Sequence, residues 1–342
     1  MARRFGLERR FSGLETSKAR RVGFMFKCLL RAIIGAAKTL RQPPRERSRE
    51  AGEIATMRTD VDVVSIRRNN RPAIAFKHNN KTDWEVDMRG LHGRRTILTG
   101  GASGIGRATT LRLADEGCVV GVFDQNLAGA EETAHLCAAK PGRVLAFQVD
   151  ITDRDAVAGA TDKFEAAAGP VELLANVAGW DIPIAFLETD RAFWDKVIGI
   201  NLYGPLNLHH VVVKRMVERS FGRVVNVASD AGRVGSSGEA VYSACKGGLI
   251  AFTKTVAREL ARKNIILNVV CPGPTDTPLF EAFTQSSPSG SKIAEGLARA
   301  IPLRRLGQPE DYPGMIAFLL SDDAGYITGQ TISVSGGLTM HG

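Results

Sequence analysis

The chain has 342 residues, of which 44% are hydrophobic and 24% charged, so collagen, a coiled coil and wholesale disorder are excluded. Its 45 Lys and Arg residues exceed its 36 Asp and Glu residues and give a formal net charge of +9. No run of about 18 apolar residues occurs, so no transmembrane helix is predicted. Five scattered cysteines without a CxxC pair argue against disulfides and zinc, and we expect a cytoplasmic protein.

The positive charge belongs to the first quarter of the chain. Residues 1–87 hold 20 basic and 10 acidic residues, which leaves 25 basic and 26 acidic residues in 88–342. The larger part is nearly neutral, so the overall charge is no argument for nucleic-acid binding. We expect a poorly ordered basic extension over 1–87 and one folded domain over 88–342.

Within the extension, only residues 21–40 space their apolar residues as a helix does. Such a basic amphipathic helix could lie on an anionic membrane or serve as a targeting peptide. An extension without function is the simpler interpretation, so we expect no membrane contact. A third hypothesis is that translation starts at Met88, shortly before the first clear strand.

From residue 95 onward, short β-branched segments alternate with amphipathic segments. Strands are predicted at 95–100, 118–123, 144–149, 172–176, 223–228, 265–270 and 330–334. Helices are predicted at 105–116, 127–139, 153–168, 202–219, 241–262 and 309–321. This alternation predicts a single α/β domain of the Rossmann type, with a doubly wound seven-stranded parallel sheet.

A glycine-rich loop, residues 99–106, joins the first strand to the first helix. Glycines permit a tight turn and close approach to a pyrophosphate, and the helix start offers free N–H groups. The strand before the loop and the helix after it are the context that this interpretation requires. The residues that we expect to contact the dinucleotide are Gly100, Ser103, Ile105 and Gly106.

Asp124 ends the second strand, 18 residues after Gly106. A carboxylate at this place can accept hydrogen bonds from the adenosine ribose and repel a 2′-phosphate. Ser103 adds no basic side chain to the loop, so the sequence predicts NAD rather than NADP. The alternative is that Asp124 is only a turn residue.

The next two strands end in further candidate cofactor contacts. Asp150 and Ile151 follow the third strand, and Asp150 could bind the adenine amino group or cap the following helix. The fourth strand ends at Asn176, and the small residues Ala178 and Gly179 come just after it. Small residues there would let the backbone approach the cofactor.

Three residues carry the predicted chemistry, namely Ser229, Tyr242 and Lys246. Ser229 directly follows a strand, and Tyr242 and Lys246 lie four residues apart on one helix face. A free tyrosine has a pKa of about 10 and is a poor base at neutral pH. A nearby ammonium would lower that pKa, and a serine hydroxyl could hold the substrate oxygen. Each residue alone suits a structural role, but their combination with a dinucleotide loop predicts a dehydrogenase.

Together these motifs resemble the short-chain dehydrogenase/reductase family over residues 90–342. The resemblance implies that Tyr242 is the general acid/base and that Ser229 orients the reacting oxygen. It implies that Lys246 binds the nicotinamide ribose and lowers the pKa of Tyr242. Asn201 would hold a water in the proton relay. The residues implied to flank the nicotinamide are Pro272, Gly273, Thr275 and Thr277.

The resemblance also implies a homotetramer. One departure from the family's pattern is Val177, where a second asparagine is usual. That asparagine is associated with tying the central sheet together, so its replacement leaves one hydrogen bond unexplained.

A finer resemblance concerns segments 179–182, 229–242, 270–277 and 321–340. They resemble family members that act on 2-hydroxycyclohexane-1-carbonyl-CoA, which implies an NAD-dependent oxidoreductase of a hydroxyacyl-CoA. A 3-oxoacyl-ACP/CoA reductase and a non-catalytic NAD-binding regulator are the alternatives. Residues 279–304 are expected to form a mobile lid that sets the substrate.

Several other polar residues are given no role in catalysis. The basic residues at the predicted lid are expected to be solvated rather than bound to CoA phosphates; they are Lys292, Arg299, Arg304 and Arg305. His209 and His210 have no evident partners, so no catalytic metal is predicted.

Overall fold

Two units make up the chain, Met1–Asn80 and Lys81–Gly342. The computed structural model describes the backbone at 63–68 and 71–76 and, beyond these, residues 88–278, 280–281, 284 and 290–340. In the first unit, strand β1 (Val63–Arg68) pairs antiparallel with strand β2 (Arg71–Phe76). The sequence did not predict this pair, because charged residues and a proline interrupt the alternation. The predicted helix at 21–40 lies outside the described residues.

The second unit is built on a seven-stranded parallel sheet. Its strands are β3 (Arg95–Thr99), β4 (Val119–Asp124), β5 (Arg143–Gln148), β6 (Leu173–Asn176), β7 (Gly222–Val227), β8 (Ile265–Pro272) and β9 (Thr331–Val334). They lie in the order β5-β4-β3-β6-β7-β8-β9, so the direction of winding reverses between β3 and β6. The predicted seven-stranded Rossmann-type fold is confirmed, with each strand within about two residues of its predicted bounds.

Helices cover both faces of this sheet. They are α1 (Gly104–Asp115), α2 (Leu127–Leu136), α3 (Arg154–Ala168), α4 (Arg191–Ile198), α5 (Gly204–Leu208), α6 (Lys214–Glu218), α7 (Ala231–Val234), α8 (Ala240–Leu260), α9 (Gly290–Ala300) and α10 (Pro313–Leu320). Two π turns, Gly199–Tyr203 and His209–Val213, join α4, α5 and α6 into one helical segment. This segment starts earlier than the predicted helix at 202–219, because Asp190 caps α4 by accepting the Phe193 N–H at 2.8 Å.

The two faces of the sheet bury separate hydrophobic clusters. Successive strand residues point to opposite faces, so Ile97 and Leu98 of β3 lie in different clusters. Leu98 packs with Leu113 and Ile316, whereas Ile97 packs with Phe164. Burial on both faces explains why these strands have continuous apolar runs rather than alternation.

A buried polar network links the middle of the sheet to two helices. Asn176 Nδ2 donates to Asn226 Oδ1 at 2.8 Å. Asn226 Nδ2 in turn donates to Thr253 Oγ1 at 2.8 Å and lies 3.3 Å from His209 Nε2. His209 Nδ1 lies 2.7 Å from the Pro205 carbonyl oxygen, so the expectation of a histidine without partners is wrong. These hydrogen bonds connect the central strands β6 and β7, although Val177 replaces the usual asparagine.

The described residues contain no membrane-spanning helix, no candidate metal site and no disulfide. In the described part of the chain, no helix is long and apolar enough to span a bilayer. The same residues hold no group of three or more His, Cys, Asp or Glu side chains suited to a metal. Their four cysteines are free and buried, namely Cys118, Cys137, Cys245 and Cys271.

Candidate active site

A cleft of about 920 Å³ lies where the parallel strands end, at the point where the winding reverses. The loops after successive strands meet there, which brings distant sequence motifs together. The predicted site residues that line it are Gly100, Ser103, Ile105, Gly106, Asp124, Asp150, Ile151, Ala178, Gly179, Ser229, Tyr242, Lys246, Pro272, Gly273, Thr275 and Thr277. Asn176 and Asn201 are predicted site residues outside this lining, because both side chains are buried behind it.

The glycine loop fits a pyrophosphate because it leaves no room for side chains. Gly100 has a φ of +75°, and a Cβ there would lie 2.8 Å from the Ala178 Cα. A Cβ at Gly106 would lie 1.9 Å from the Gly100 carbonyl oxygen. The N-cap residue of α1, Ser103, makes no side-chain cap, so N–H groups of the first turn stay available to an anion.

Asp124 connects the glycine loop to the end of β4. Its Oδ2 accepts the Ala102 N–H and its Oδ1 accepts the Asn126 N–H, both at 2.9 Å. A carboxylate has about four lone-pair sites, so it can still accept ribose hydroxyls. The neighbouring Arg107 guanidinium is engaged by the Ala102 carbonyl and by Glu132, each at 2.6 Å. The Arg107 guanidinium is therefore already hydrogen-bonded within the protein.

Asp150 forms a turn of its own rather than a helix cap. Its Oδ1 accepts both the N–H and the hydroxyl of Thr152, at 2.8 and 2.7 Å. Asp153 caps α3 instead, so the alternative that Asp150 caps this helix is wrong, and the adenine contact stays a prediction. Burial raises the pKa of Asp150, but hydrogen bonds from Thr152 and Gln125 outweigh burial and lower the pKa overall. An ionised acceptor therefore faces the cleft.

The Ser229, Tyr242 and Lys246 side chains come together between β7 and α8. Ser229 lies just past β7, and its Oγ accepts the Ala231 N–H at 3.1 Å. Tyr242 and Lys246 are one helical turn apart, and the Lys246 Nζ lies 5.4 Å from the centroid of the Tyr242 ring. Lys246 is only 2% exposed, and its Nζ donates to the Val227 carbonyl at 3.0 Å.

Burial dominates the ionisation of these groups. It raises the pKa of the Tyr242 phenol, Glu239 and Asp181 raise it further, and a hydrogen bond with Ser229 lowers it. Burial also lowers the pKa of Lys246 to about 8. The shift at Tyr242 is opposite to the expected lowering by Lys246, because burial of the phenol outweighs the favourable hydrogen bond with Ser229.

Asn201 lies in the first π turn and holds the chain that borders the cleft. Its Nδ2 donates to the Trp180 carbonyl at 2.6 Å and to the Val197 carbonyl at 2.9 Å. A Cβ at Gly179 would lie 3.1 Å from the Asn201 Oδ1 and 3.4 Å from the Lys246 Nζ. Asn201 therefore fixes the backbone that separates it from Lys246.

Several cleft residues were not singled out as site residues by the sequence, among them Trp180, Asp181, Lys196 and Glu239. Asp181 is 8% exposed, and its Oδ2 makes no hydrogen bond with the described residues. Glu239, directly before α8, also lines the cleft. Lys196 lies with its Nζ 3.6 Å from the centroid of the Trp180 ring, and both line the cleft. The signal for Trp180 and Asp181 was their place directly after the motif at 176–179.

Helix α9 occupies part of the segment expected to be a lid. Ile293 and Leu297 line the cleft, whereas Lys292 and Arg299 are exposed. Beyond the helix, Arg305 forms a bidentate pair with Asp311 at 2.5 and 2.7 Å. Arg304 donates to the Arg299 carbonyl at 2.5 Å. The helix thus offers the cleft an apolar side and turns its charges outward.

Comparisons with known proteins agree with this geometry. The family described as Enoyl-(Acyl carrier protein) reductase matches residues 100–339. The 3-oxoacyl-[acyl-carrier-protein] reductase of Thermotoga maritima is 37% identical over 250 residues, covering 73% of this chain and 99% of that protein. The (3R)-3-hydroxyacyl-CoA dehydrogenase of Homo sapiens is 36% identical over 259 residues, covering 73% and 97%. The crystal structure of levodione reductase has a TM-score of 0.69 at 32% identity and covers 72% of this chain and 97% of that one.

Proposed function

Because the chain belongs to the short-chain dehydrogenase/reductase family and is an oxidoreductase of CH–OH groups, we propose that it oxidises a hydroxyacyl-CoA thioester with NAD. Enzymes of this family use a nicotinamide dinucleotide. The glycine loop and the carboxylates at the strand ends fit such a cofactor. The proposal specifies NAD as the dinucleotide and a hydroxyacyl-CoA thioester as the alcohol.

Asp124 is the observation that carries the choice of NAD. Its carboxylate lines the cleft at the end of β4, where it can accept the ribose hydroxyls of NAD. A 2′-phosphate at that place would meet this negative charge. Arg107, the nearest arginine in sequence to the loop, is engaged by Glu132 and offers that phosphate no partner.

We assign the proton transfer to the three residues between β7 and α8. A nicotinamide bound in the cleft would supply the acceptor for a hydride from the carbinol carbon. Ser229 holds the substrate oxygen, Tyr242 takes its proton, and Lys246 binds the nicotinamide ribose. Asn201 holds the Gly179 backbone beside Lys246, and the water that it would bind continues the relay to solvent.

The same assignment places the other predicted contacts around the cofactor. The end of β8 and the loop after it would flank the nicotinamide through Pro272, Gly273, Thr275 and Thr277. The small residues Ala178 and Gly179 border its ribose. Ile151 and Asp150 lie on the adenine side.

The substrate class rests on the apolar wall of the cleft and on the related proteins. This wall is defined by the apolar cleft residues Trp180, Val234, Ile293, Leu297 and Leu338. Two relatives are named for acyl thioesters, one on CoA and one on acyl carrier protein. The resemblance over 179–182 and 229–242 to 2-hydroxycyclohexane-1-carbonyl-CoA dehydrogenases favours a cyclic hydroxyacyl-CoA, and a ring would fill this wall.

A 3-oxoacyl-ACP/CoA reductase is the second candidate, favoured by the 37% identity to the Thermotoga maritima enzyme. Biosynthetic reductases usually prefer NADPH, so Asp124 argues against it. A non-catalytic NAD-binding regulator would have no use for the Ser229, Tyr242 and Lys246 cluster.

A spectrophotometric screen for NADH formation over cyclic and linear hydroxyacyl-CoA thioesters tests the proposal. We expect turnover with NAD, a much slower reaction with NADP, and the fastest rate with 2-hydroxycyclohexane-1-carbonyl-CoA. Preferred reduction of 3-oxoacyl-ACP with NADPH would support the second candidate. Dinucleotide binding without turnover of any alcohol would support a regulator.

A further inference from the structure

Asp181 is a buried carboxyl group in the cleft whose hydrogen bonds are incomplete. It follows the Gly179 turn, lines the cleft with Tyr242, and is 8% exposed. The Ile182 backbone N–H donates to its carboxyl group, while Oδ2 has no partner among the described residues. A buried polar oxygen without a partner costs free energy, so a ligand that pairs with it would bind more tightly.

Among the described residues, no positively charged side chain pairs with this carboxyl group. Glu239, directly before α8, raises the pKa of Asp181, and Asp181 in turn raises the pKa values of Tyr242 and Cys245 on that helix. Lys196 of α4 lines the cleft, but its Nζ lies over the Trp180 ring. Neither Asp181 nor Glu239 forms an ion pair within the described part of the chain. A negative charge on both carboxyl groups is therefore unfavourable, and burial with the charge of Glu239 raises the pKa of Asp181 to about 7.

A neutral carboxyl group has one O–H to donate, and the described residues offer Oδ2 no acceptor. The substrate must then supply the acceptor. A hydroxyacyl thioester has one close to its reacting carbinol carbon, the acyl carbonyl oxygen. We propose that Asp181 determines substrate specificity by donating a hydrogen bond from its carboxyl group to the acyl carbonyl oxygen, an inference that rests on the thioester substrate proposed above.

This arrangement makes substrate binding depend on pH in a defined direction. Asp181 donates while it is protonated, so KM is low below about pH 7 and rises above it. Removing the charge of Glu239 would lower the pKa of Asp181, so the rise in KM would start at a lower pH. A carboxylate that bound a donor of the substrate would give the opposite trend.

The experiment measures KM and kcat with NAD between about pH 5.5 and 8.5 for the wild type and three variants. Asp181→Asn keeps a donor that does not titrate, so its KM should stay low and independent of pH. Asp181→Leu removes the donor and should raise KM roughly tenfold at low pH while kcat changes less. Glu239→Gln should shift the rise in KM to lower pH. NAD affinity, measured by fluorescence, reports whether each variant is folded.

The substrate pair is 2-hydroxycyclohexane-1-carbonyl-CoA and its thioether analogue, in which CH₂ replaces the carbonyl. The wild type should prefer the thioester, and Asp181→Leu should lose this preference. An unchanged preference in Asp181→Leu, or a KM of the wild type that falls with rising pH, would overturn the inference while the proposed function stands. If the wild type oxidises no hydroxyacyl-CoA, the proposed function and the inference both fail.

Discussion

Burial moves the pKa values of Lys246 and Asp181 in opposite directions. It lowers the pKa of the Lys246 ammonium to about 8 and raises that of the Asp181 carboxyl to about 7. In both cases burial disfavours the charged form. Two groups of one cleft therefore titrate near neutral pH, although neither does so in water.

Affinity for NAD should fall as pH rises through about 8, because a neutral amine is a weaker donor to the ribose than an ammonium. Lys246→Gln keeps a donor that does not titrate and should show weak but pH-independent binding. Fluorescence titration of NAD from about pH 6.5 to 9.5 measures both. The same pH dependence in Lys246→Gln would assign the titration to another group.

Asp124→Ala should weaken NAD binding and admit NADP. Hydrogen bonds to a charged group contribute about 1.5–3 kcal/mol, so the Kd of NAD should rise roughly 10- to 100-fold. The Kd of NADP should fall at the same time, because the repelling charge is gone. Asp124→Asn is the matched control, since it can still accept the Ala102 N–H that orders the loop. Equal use of NAD and NADP by the wild type would refute the assignment.

The sequence predicted the residues that motifs define, and it missed those that burial defines. Ser229, Tyr242 and Lys246 converge because their spacing relative to a strand and a helix places them at one edge of the sheet. Asp181 gains its significance from an unpaired oxygen and from Glu239, which lies 58 positions later in the chain. Such a pair cannot be predicted without the three-dimensional structure.

Among the elements, the strands were easier to predict than the helices around the cleft. The strands are apolar β-branched runs buried on both faces, so their bounds are clear in the sequence. Helix α9 was missed as a helix because Ser, Gly and Ala dominate its surroundings. Its apolar side consists of Ile293 and Leu297, four residues apart. Both line the cleft, and the sequence alone does not show this contact.

His209 connects the sheet to the helical segment α4–α6, and its protonation should lower the free energy of unfolding at acidic pH. Burial lowers the pKa of His209 from 6.5 to about 4. Between these values the unfolded chain binds the proton more readily, so the free energy of unfolding falls with decreasing pH. His209 should account for a loss of up to about 3 kcal/mol.

The difference in unfolding free energy between the wild type and His209→Gln isolates this effect, because Asp181 contributes with the opposite sign over the same range. Urea denaturation between about pH 4 and 7 gives that difference. The neutral variant should be closest to the wild type in stability at pH 4. His210→Gln is the control on the exposed neighbouring position. A difference that does not vary with pH would contradict a neutral buried His209.

At the scale of the whole molecule, the described residues that line the cleft all lie in the second unit, and residues 88–91 are anchored to that unit. The Met88 N–H donates to Glu116 Oε2 at 2.8 Å, and Leu91 is fully buried. Arg89 pairs with Asp323 at 2.5 Å. The homotetramer and the cytoplasmic location implied earlier remain predictions.

Removing residues 1–87 should leave kcat and KM within about twofold of the full chain, because every described residue that lines the cleft lies beyond Met88. The measurement compares the two proteins with NAD and the best thioester, and light scattering compares their masses. A truncated protein that folds but loses most of its activity would show that the extension contributes to the site.

Vesicle pelleting of the two proteins tests membrane contact through residues 21–40.

Single-turnover formation of NADH by Tyr242→Phe tests the central claim most directly. The substitution keeps the ring and removes the hydroxyl, while the glycine loop and Asp124 stay intact. NAD binding should therefore be normal, and the rate of hydride transfer should fall about 10²–10⁴-fold, because no positioned base takes the proton. A Tyr242→Phe protein with a rate close to that of the wild type would remove Tyr242 from the mechanism and contradict the account.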